Sequence, residues 1–175
     1  MTITSPEAPA RTGIGARKDY HALNAQLNLF APDGSIQFHK DREAAEAYLL
    51  QHVIPNMRTF PSVAERLEWL VTNDYYEQAF LDAYTPEFLT DLHERARGAG
   101  HRFHTFLGAF KFFTSYALKT FDGTTYLEGF EERVVATALF LGQGDEALAT
   151  RLVDEMLSGR FQPCLLYTSP SPRDS

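Results

Sequence analysis

Few side chains in this chain have a type and spacing that could do chemistry. His101-x-x-His104 sets two imidazoles three residues apart, close enough on a helix to share a metal ion. A di-iron bundle needs Glu-x-x-His from each of two helices, and that motif occurs nowhere in the chain. The pair is therefore read first as a solvated or capping feature of a helix start. Glu131 and Glu132 are adjacent, so on a helix they point about 100° apart and cannot both face one substrate. They read as a charged face. Arg95, Arg97, Arg102 and Lys111 form a local basic patch around Gly98 and Gly100. It reads as solvated surface, with docking of an acidic partner or a phosphate as the alternative. Gly13-Ile14-Gly15 begins like a dinucleotide fingerprint, but no strand precedes it and Lys18 stands where the third glycine belongs. No Gly-x-Ser-x-Gly elbow and no phosphate-binding Walker motif is present. The one cysteine is Cys164, so residues 1–163 carry no thiol for a nucleophile, a disulfide or a metal. No catalytic, cofactor-binding or metal-binding residue is assigned.

The elements that would position such groups are helical. Residues 1–18, rich in Thr, Ser, Pro, Gly and Ala, read as a disordered leader. Asp19 caps a predicted helix over 20–30, with Leu23, Leu27 and Phe30 on one face. Pro32-Asp33-Gly34 is turn chemistry, and 35–38 alternates like a short strand. Asp41 is expected to cap a helix running to about Ile54, with Ala44, Ala45, Tyr48, Leu49 and Val53 inward and Pro55 as the stop. Pro61-Ser62 opens a helix carrying Val63, Leu67, Leu70 and Val71, and 75–84 gives a short one. Thr85-Pro86-Glu87 is a strong start signal, and its helix ends near Gly98. The most apolar helix is predicted over 103–120, with Phe103, Phe106, Phe110, Phe113 and Tyr116 as a core stripe and Lys119 in its last turn. A helix over about 126–142 should bury Val134, Val135, Ala138 and Leu141. Asp145 caps the last, which ends at Ser158 before Gly159. The fold class is all-α: seven or eight helices, short loops and no internal repeat.

Composition supports a packed domain. The chain is 44% hydrophobic and 13% aromatic, with 14 Phe and 8 Tyr, which argues against disorder. A net charge of −7 makes an extended nucleic-acid surface unlikely on electrostatic grounds, since phosphate binding needs clustered Lys and Arg. No window approaches ~18 consecutive apolar residues, and no apolar signal segment opens the chain. A cytoplasmic protein that binds neither nucleic acid nor membrane is the expectation.

The last stretch reads differently. CLLYTSPSPRDS, residues 164–175, abandons helical periodicity. Up to Asp174 it matches, letter for letter, one reading frame of a common transposase-type sequencing adapter. It is read as a non-native tail and excluded from the fold; a natural Ser/Pro-rich tail is the alternative.

Several segments taken together resemble a known family. Asp19-Tyr20-His21-Ala22-Leu23-Asn24 (DYHALN), NLF close behind it, and IQFHKD at 36–41 resemble the start of the large (alpha) subunit of class Ib ribonucleotide reductase. RFHTFLGAFKFFTSYALKTFDG from Arg102, YLEGFEERVVATALFLGQGD from Tyr126 and LVDEMLSGRFQP from Leu152 are similar to later parts of that subunit, in the same order. The resemblance covers 19–163. It implies that these residues are the all-helical domain preceding a ten-stranded α/β barrel. It also implies that the parent reduces ribonucleoside diphosphates to deoxyribonucleotides for DNA synthesis, with a cysteinyl radical and a redox-active cysteine pair. A small (beta) subunit would supply the radical from a metal–tyrosyl centre, a glutaredoxin-like protein would restore the thiols, and the alpha subunit would pair with itself. Nucleotides would enter as substrates and as allosteric effectors. After Pro163 the family continues with a Thr-Pro-Thr-Phe-type stretch and then its first redox cysteine. Cys164 is too early to be that cysteine, so the fragment is expected to be inactive alone, with no cofactor of its own. Too little sequence precedes Asp19 for a complete ATP-cone. A remnant over 28–42, including Gln37, Phe38, His39 and Lys40, is a candidate nucleotide site, against a simple surface turn. A stand-alone helical binding or regulatory module is the competing functional reading. Where such a domain would have packed on a barrel, the aromatic face and final helix should expose apolar surface.

Overall fold

The computed structural model describes residues 38–162 together with Asp33 and Ser35, without the side chains of Phe38 and His39. The predicted leader, the 20–30 helix, the Gly13-Ile14-Gly15 turn and the tail lie outside the described residues. Among the described residues the regular structure is helical, and the one β feature is an isolated antiparallel bridge, Lys119 with Tyr126. The all-α expectation holds. The chain divides into two compact units.

The first unit combines the described part of Met1–Asn56 with His104–Tyr126. Helix α1 spans Phe38–Tyr48 and runs on as a π-helical turn, Leu49–Val53, and a 3₁₀ turn, Ile54–Asn56. Pro55 has no N–H to extend an α-helical ladder, and the Ile54 N–H reaches back five residues to the Leu49 carbonyl. Phe38 is helical, so the predicted strand over 35–38 is not formed there. Ala44, Ala45, Tyr48 and Val53 are buried as expected, whereas Leu49 is only half-buried. Tyr48 packs edge-on to Phe106 at 5.6 Å between ring centres and against Phe110 at 5.6 Å.

The aromatic helix is shorter than its stripe implied. It begins at Phe106, capped by Thr105, whose hydroxyl accepts the Gly108 N–H at 3.1 Å. Three helices of the second unit, α2 (Val63–Thr72), α3 (Gln78–Asp82) and α4 (Pro86–Gly98), come before it in the chain. After α5 (Phe106–Lys111) the chain turns π-helical over Phe112–Tyr116 and becomes extended at Ala117. Asp41 does not cap its own helix. Its carboxylate accepts the Phe106 N–H at 2.7 Å and so caps α5 across the unit. Lys119 lies beyond the helix, in the bridge, yet its Nζ donates to the Thr114 carbonyl at 2.8 Å and still satisfies a helix-end acceptor. Asp122 and Gly123 make the predicted turn, with Gly123 at φ +71°.

The second unit holds Met57–Phe103 and the described residues from Leu127 onward. Its helices start where side-chain caps are available. Ser62 accepts the Glu65 N–H at 3.1 Å, Thr85 the Phe88 N–H at 3.2 Å and Asp145 the Leu148 N–H at 2.9 Å. Helix α6 (Phe130–Gly142) begins four residues later than predicted and α7 spans Glu146–Leu157. Val134, Val135 and Ala138 are buried, whereas Leu141 is half-buried. A Cβ on Gly142 would stand 2.8 Å from the Tyr84 hydroxyl and 3.1 Å from the Ala149 Cβ, so only glycine lets α6 and α7 approach this closely. The Tyr84 hydroxyl donates to the Leu139 carbonyl at 2.6 Å and accepts the Gly144 N–H at 3.0 Å, tying the α6–α7 turn to the end of α3.

Candidate functional site

The densest chemistry in the molecule is a buried ion cluster in the second unit. Arg66 lies on the inner face of α2, three residues from Val63 and four before Leu70. Its side chain is 4% exposed and that of Glu128 is fully buried. Arg66 Nε donates to the Leu127 carbonyl at 3.3 Å, and its Nη2 stands 3.9 Å from Glu128 Oε2. Arg133, one turn into α6, donates from Nε to Glu128 Oε1 at 2.6 Å. Glu128 thus sits between two guanidinium groups. That pairing is what permits burial, because an unpaired carboxylate in this position would carry its full desolvation cost.

Glu132 adds a second carboxylate. It accepts the Gly129 N–H at 2.9 Å, satisfying a free donor at the start of α6, and the Arg97 Nε–H at 3.1 Å. Burial opposes its ionisation, but Arg66, the Gly129 N–H and Arg97 together hold its carboxyl below the usual range. Burial pushes neighbouring Glu131 up. Burial and the Glu128 charge raise the Tyr76 hydroxyl. His93, on the inner face of α4, is lowered to about 4, first by burial and then by the nearby Arg66 charge. Its Nδ1 lies 2.7 Å from the Leu89 carbonyl, which fits a neutral ring donating there.

A cavity of about 240 Å³ opens beside the cluster, with Arg58, Arg66, Arg97 and Glu132 in its wall and the Gly129 backbone at its edge. Arg58 is exposed and lies over Trp69, with its central carbon 4.2 Å from the ring centre. Trp69 in turn stacks on Tyr75 at 5.5 Å.

The residues singled out by sequence are distributed otherwise. His101 stacks on Phe130 at 3.8 Å between ring centres and meets Phe103 edge-on. It belongs to the second unit and His104 to the first, and Thr105 rather than either histidine caps the helix. Among the described residues no group of three or more His, Cys, Asp or Glu is placed to hold a metal ion. Glu131 and Glu132 are not a solvated face: the Glu132 side chain is 16% exposed and fully engaged. Half of the basic patch is neutralised. Arg95 makes a two-point pair with Asp154 at 2.8 and 2.7 Å, and Arg97 pairs with Glu132. Arg102 and Lys111 are exposed. Of the 28–42 stretch, Phe38 to Arg42 form the first turn of α1, not a surface turn, and most of the rest lies outside the described residues. Cys164 lies outside them as well.

Sequence reasoning missed Arg66, Glu128 and Arg133. One signal was present: Arg66 shares the apolar face of Val63, Leu67 and Leu70, a position where a solvated arginine does not belong. Glu128 had none, since it precedes its helix.

Comparison with known proteins places the whole arrangement. Residues 20–101 match the family described as ribonucleotide reductase N-terminal, and residues 102–164 match ribonucleotide reductase, all-alpha domain. The chain is similar to the ribonucleoside-diphosphate reductase subunit alpha of Mycoplasma pneumoniae, 40% identical over 146 residues, covering 83% of this chain and 20% of that protein. It is 38% identical over 141 residues to the corresponding Bacillus subtilis subunit, covering 81% of this chain and 20% of that one. The NrdEB subunit alpha of Bacillus subtilis is 40% identical over 141 residues, 81% of this chain and 13% of that protein. The chain thus spans a fifth or less of the length of these relatives. Among the described residues no helix is long and apolar enough to cross a membrane. The chain belongs to the ribonucleotide reductase family, as the N-terminal and all-alpha region of the large subunit.

Proposed function

We propose that this chain is the N-terminal part of a class Ib alpha subunit whose parent reduces ribonucleoside diphosphates to deoxyribonucleotides for DNA synthesis. The observation that carries the reading is collinearity: family matches run without a break from residue 20 to 164, and relatives named as alpha subunits align over the same stretch. The class Ib assignment rests on the DYHALN, IQFHKD and RFHTFLGAFKFFTSYALKTFDG segments. In this reading the parent works by cysteinyl-radical chemistry in a downstream barrel, takes its radical from the metal–tyrosyl centre of a separate small subunit and is restored by a glutaredoxin-like protein. It acts in the cytoplasm as a pair of alpha subunits under nucleotide control. The contribution of this region is structural, a helical support for the domain that follows it. Residues 1–163 hold no cysteine, so the region by itself has no thiol to oxidise or to carry a radical. Residues 164–175 are adapter-derived in the same reading.

A graft tests it. Residues 20–163 replace the matching region of the Bacillus subtilis alpha subunit, and the chimera is assayed with its small subunit, a dithiol and a ribonucleoside diphosphate. Turnover is expected from the chimera and none from the isolated chain. A folded, dimeric chimera without turnover would count against the reading, and so would product made by the isolated chain.

A further inference from the structure

The cavity beside the ion cluster is charged out of balance. Three arginines, Arg58, Arg66 and Arg97, contribute to its wall, against two carboxylates, Glu128 and Glu132. Glu128 is already answered by Arg133 at 2.6 Å, and Glu132 is divided between Arg97 and the Gly129 N–H. Arg66 is left short. Its Nε is bonded to the Leu127 carbonyl, but Nη1 and Nη2 are buried and find no acceptor with hydrogen-bond geometry. The nearest carboxylate oxygen, Glu128 Oε2, stands at 3.9 Å, and the buried Tyr76 hydroxyl faces the same guanidinium. Buried guanidinium donors are ordinarily satisfied, and leaving them unmade is costly. Arg58 needs no acid either: the Trp69 and Phe60 rings hold it in the cavity wall, with its central carbon 4.2 and 5.3 Å from their centres.

We propose that this cavity binds a small oxyanion, a phosphate or a carboxylate group, held between Arg58, Arg66 and Arg97. Planar guanidinium forks match either group in two-point geometry. The cavity, about 240 Å³, has ample room for one such group. Bound there, the anion would draw the Arg66 fork toward an acceptor and share Arg97 with Glu132. Nothing in this rests on the reductase reading.

Trp69 is the only tryptophan in the chain and lies directly under Arg58, so its fluorescence reports the site. The 175-residue chain is titrated at constant ionic strength with inorganic phosphate, with acetate, and with chloride as the control, while circular dichroism follows folding. A saturable change with phosphate alone assigns a phosphate; saturation with acetate as well assigns a carboxylate, such as an acidic side chain. Arg58→Gln and Arg97→Gln, both at exposed positions, should each weaken binding about tenfold. Glu132→Gln keeps a side chain able to cap Gly129 while removing the competing charge, and should tighten it. A merely structural cluster would not give that opposite sign. Stability should also rise with the bound anion. No saturable response to either anion, a response unchanged in both arginine variants, or a chain that stays unfolded at every phosphate concentration overturns the proposal.

Discussion

In the first unit the buried side chains of consequence are rings: Tyr48, Phe106, Phe110, Phe112, Phe113 and Tyr126. In the second, rings share the interior with Arg66, His93 and Glu128, the buried ionisable groups outside tyrosine among the described residues. The surfaces differ in the same way. Leu50 and Phe121, each 65% exposed, and Ile54, Leu107 and Tyr116 all belong to the first unit. Among the described residues the second shows Leu148 and Phe161, each at 37%. The expected exposure of the aromatic face and final helix is met in part, at Leu107 and Tyr116 and at Leu148, while the most exposed apolar residues lie elsewhere. The most exposed are Leu50 and Ile54, in the π-helical and 3₁₀ turns after α1, and Phe121, in the turn closed by the Lys119–Tyr126 bridge. An apolar core tolerates imperfect geometry and leaves contacts to be completed elsewhere. A buried ion network tolerates neither loss of a partner nor a change of charge.

The comparison is broken most severely at Glu128. Glu128→Leu strands Arg66 and Arg133 without their shared carboxylate and should cost roughly 3–5 kcal/mol, read by urea unfolding with Trp69 fluorescence. Replacing all three residues with apolar ones of similar volume should recover most of that loss. If the single variant unfolds at the parent concentration of urea, the cluster is not structural. Acid sharpens the contrast. His93 sits near 4 when folded and near 6.5 when not, so the unfolded chain takes up the proton first. The second unit should keep its stability above pH 6.5 and lose up to roughly 3 kcal/mol as pH falls toward 4. Glu132, held low in the fold, adds to the same direction. His93→Gln should flatten that slope, and an equally steep slope in the variant would assign it to other groups.

Gly142→Ala should follow, at roughly 1–3 kcal/mol, because the new methyl meets Tyr84 and Ala149 at sub-contact distances. In the first unit Asp41→Ala removes the acceptor of the Phe106 N–H, leaving Thr105 as the remaining cap of α5, and should cost about 1 kcal/mol by thermal melting. Smallest in stability is the triple change Leu50→Ser, Ile54→Ser and Phe121→Ser. It should leave unfolding within about 0.5 kcal/mol yet reduce binding of an apolar dye and self-association by light scattering. Undiminished dye binding would place the exposed apolar surface elsewhere.

What was legible in the sequence was local. Ser62, Thr85 and Asp145 each accept the N–H three residues on, as their positions imply, and Gly159 takes the left-handed conformation after α7 at φ +73°. What was not legible was decided across the chain. Asp41 looks like the cap of its own helix and instead caps α5, sixty-five residues away in sequence. The stripe from Phe103 to Tyr116 implies a helix to 120, but a π-helical turn and the Lys119–Tyr126 bridge claim the backbone from Phe112 onward. Periodicity locates apolar faces and is blind to such shifts of hydrogen-bond register. The ion cluster joins α2, α6 and the segment between Tyr126 and Phe130, so adjacent letters could not display it. Family membership was legible because it depends on ordered segments, not on any one site.

The most direct test of the account is adapter-free sequencing of the source DNA across the codon for Pro163. The account predicts a reading frame that runs on into a Thr-Pro-Thr-Phe-like stretch and downstream cysteines, replacing residues 164–175. Genomic DNA that encodes Cys164 through Ser175 and then stops would contradict it and leave a stand-alone helical module as the better description.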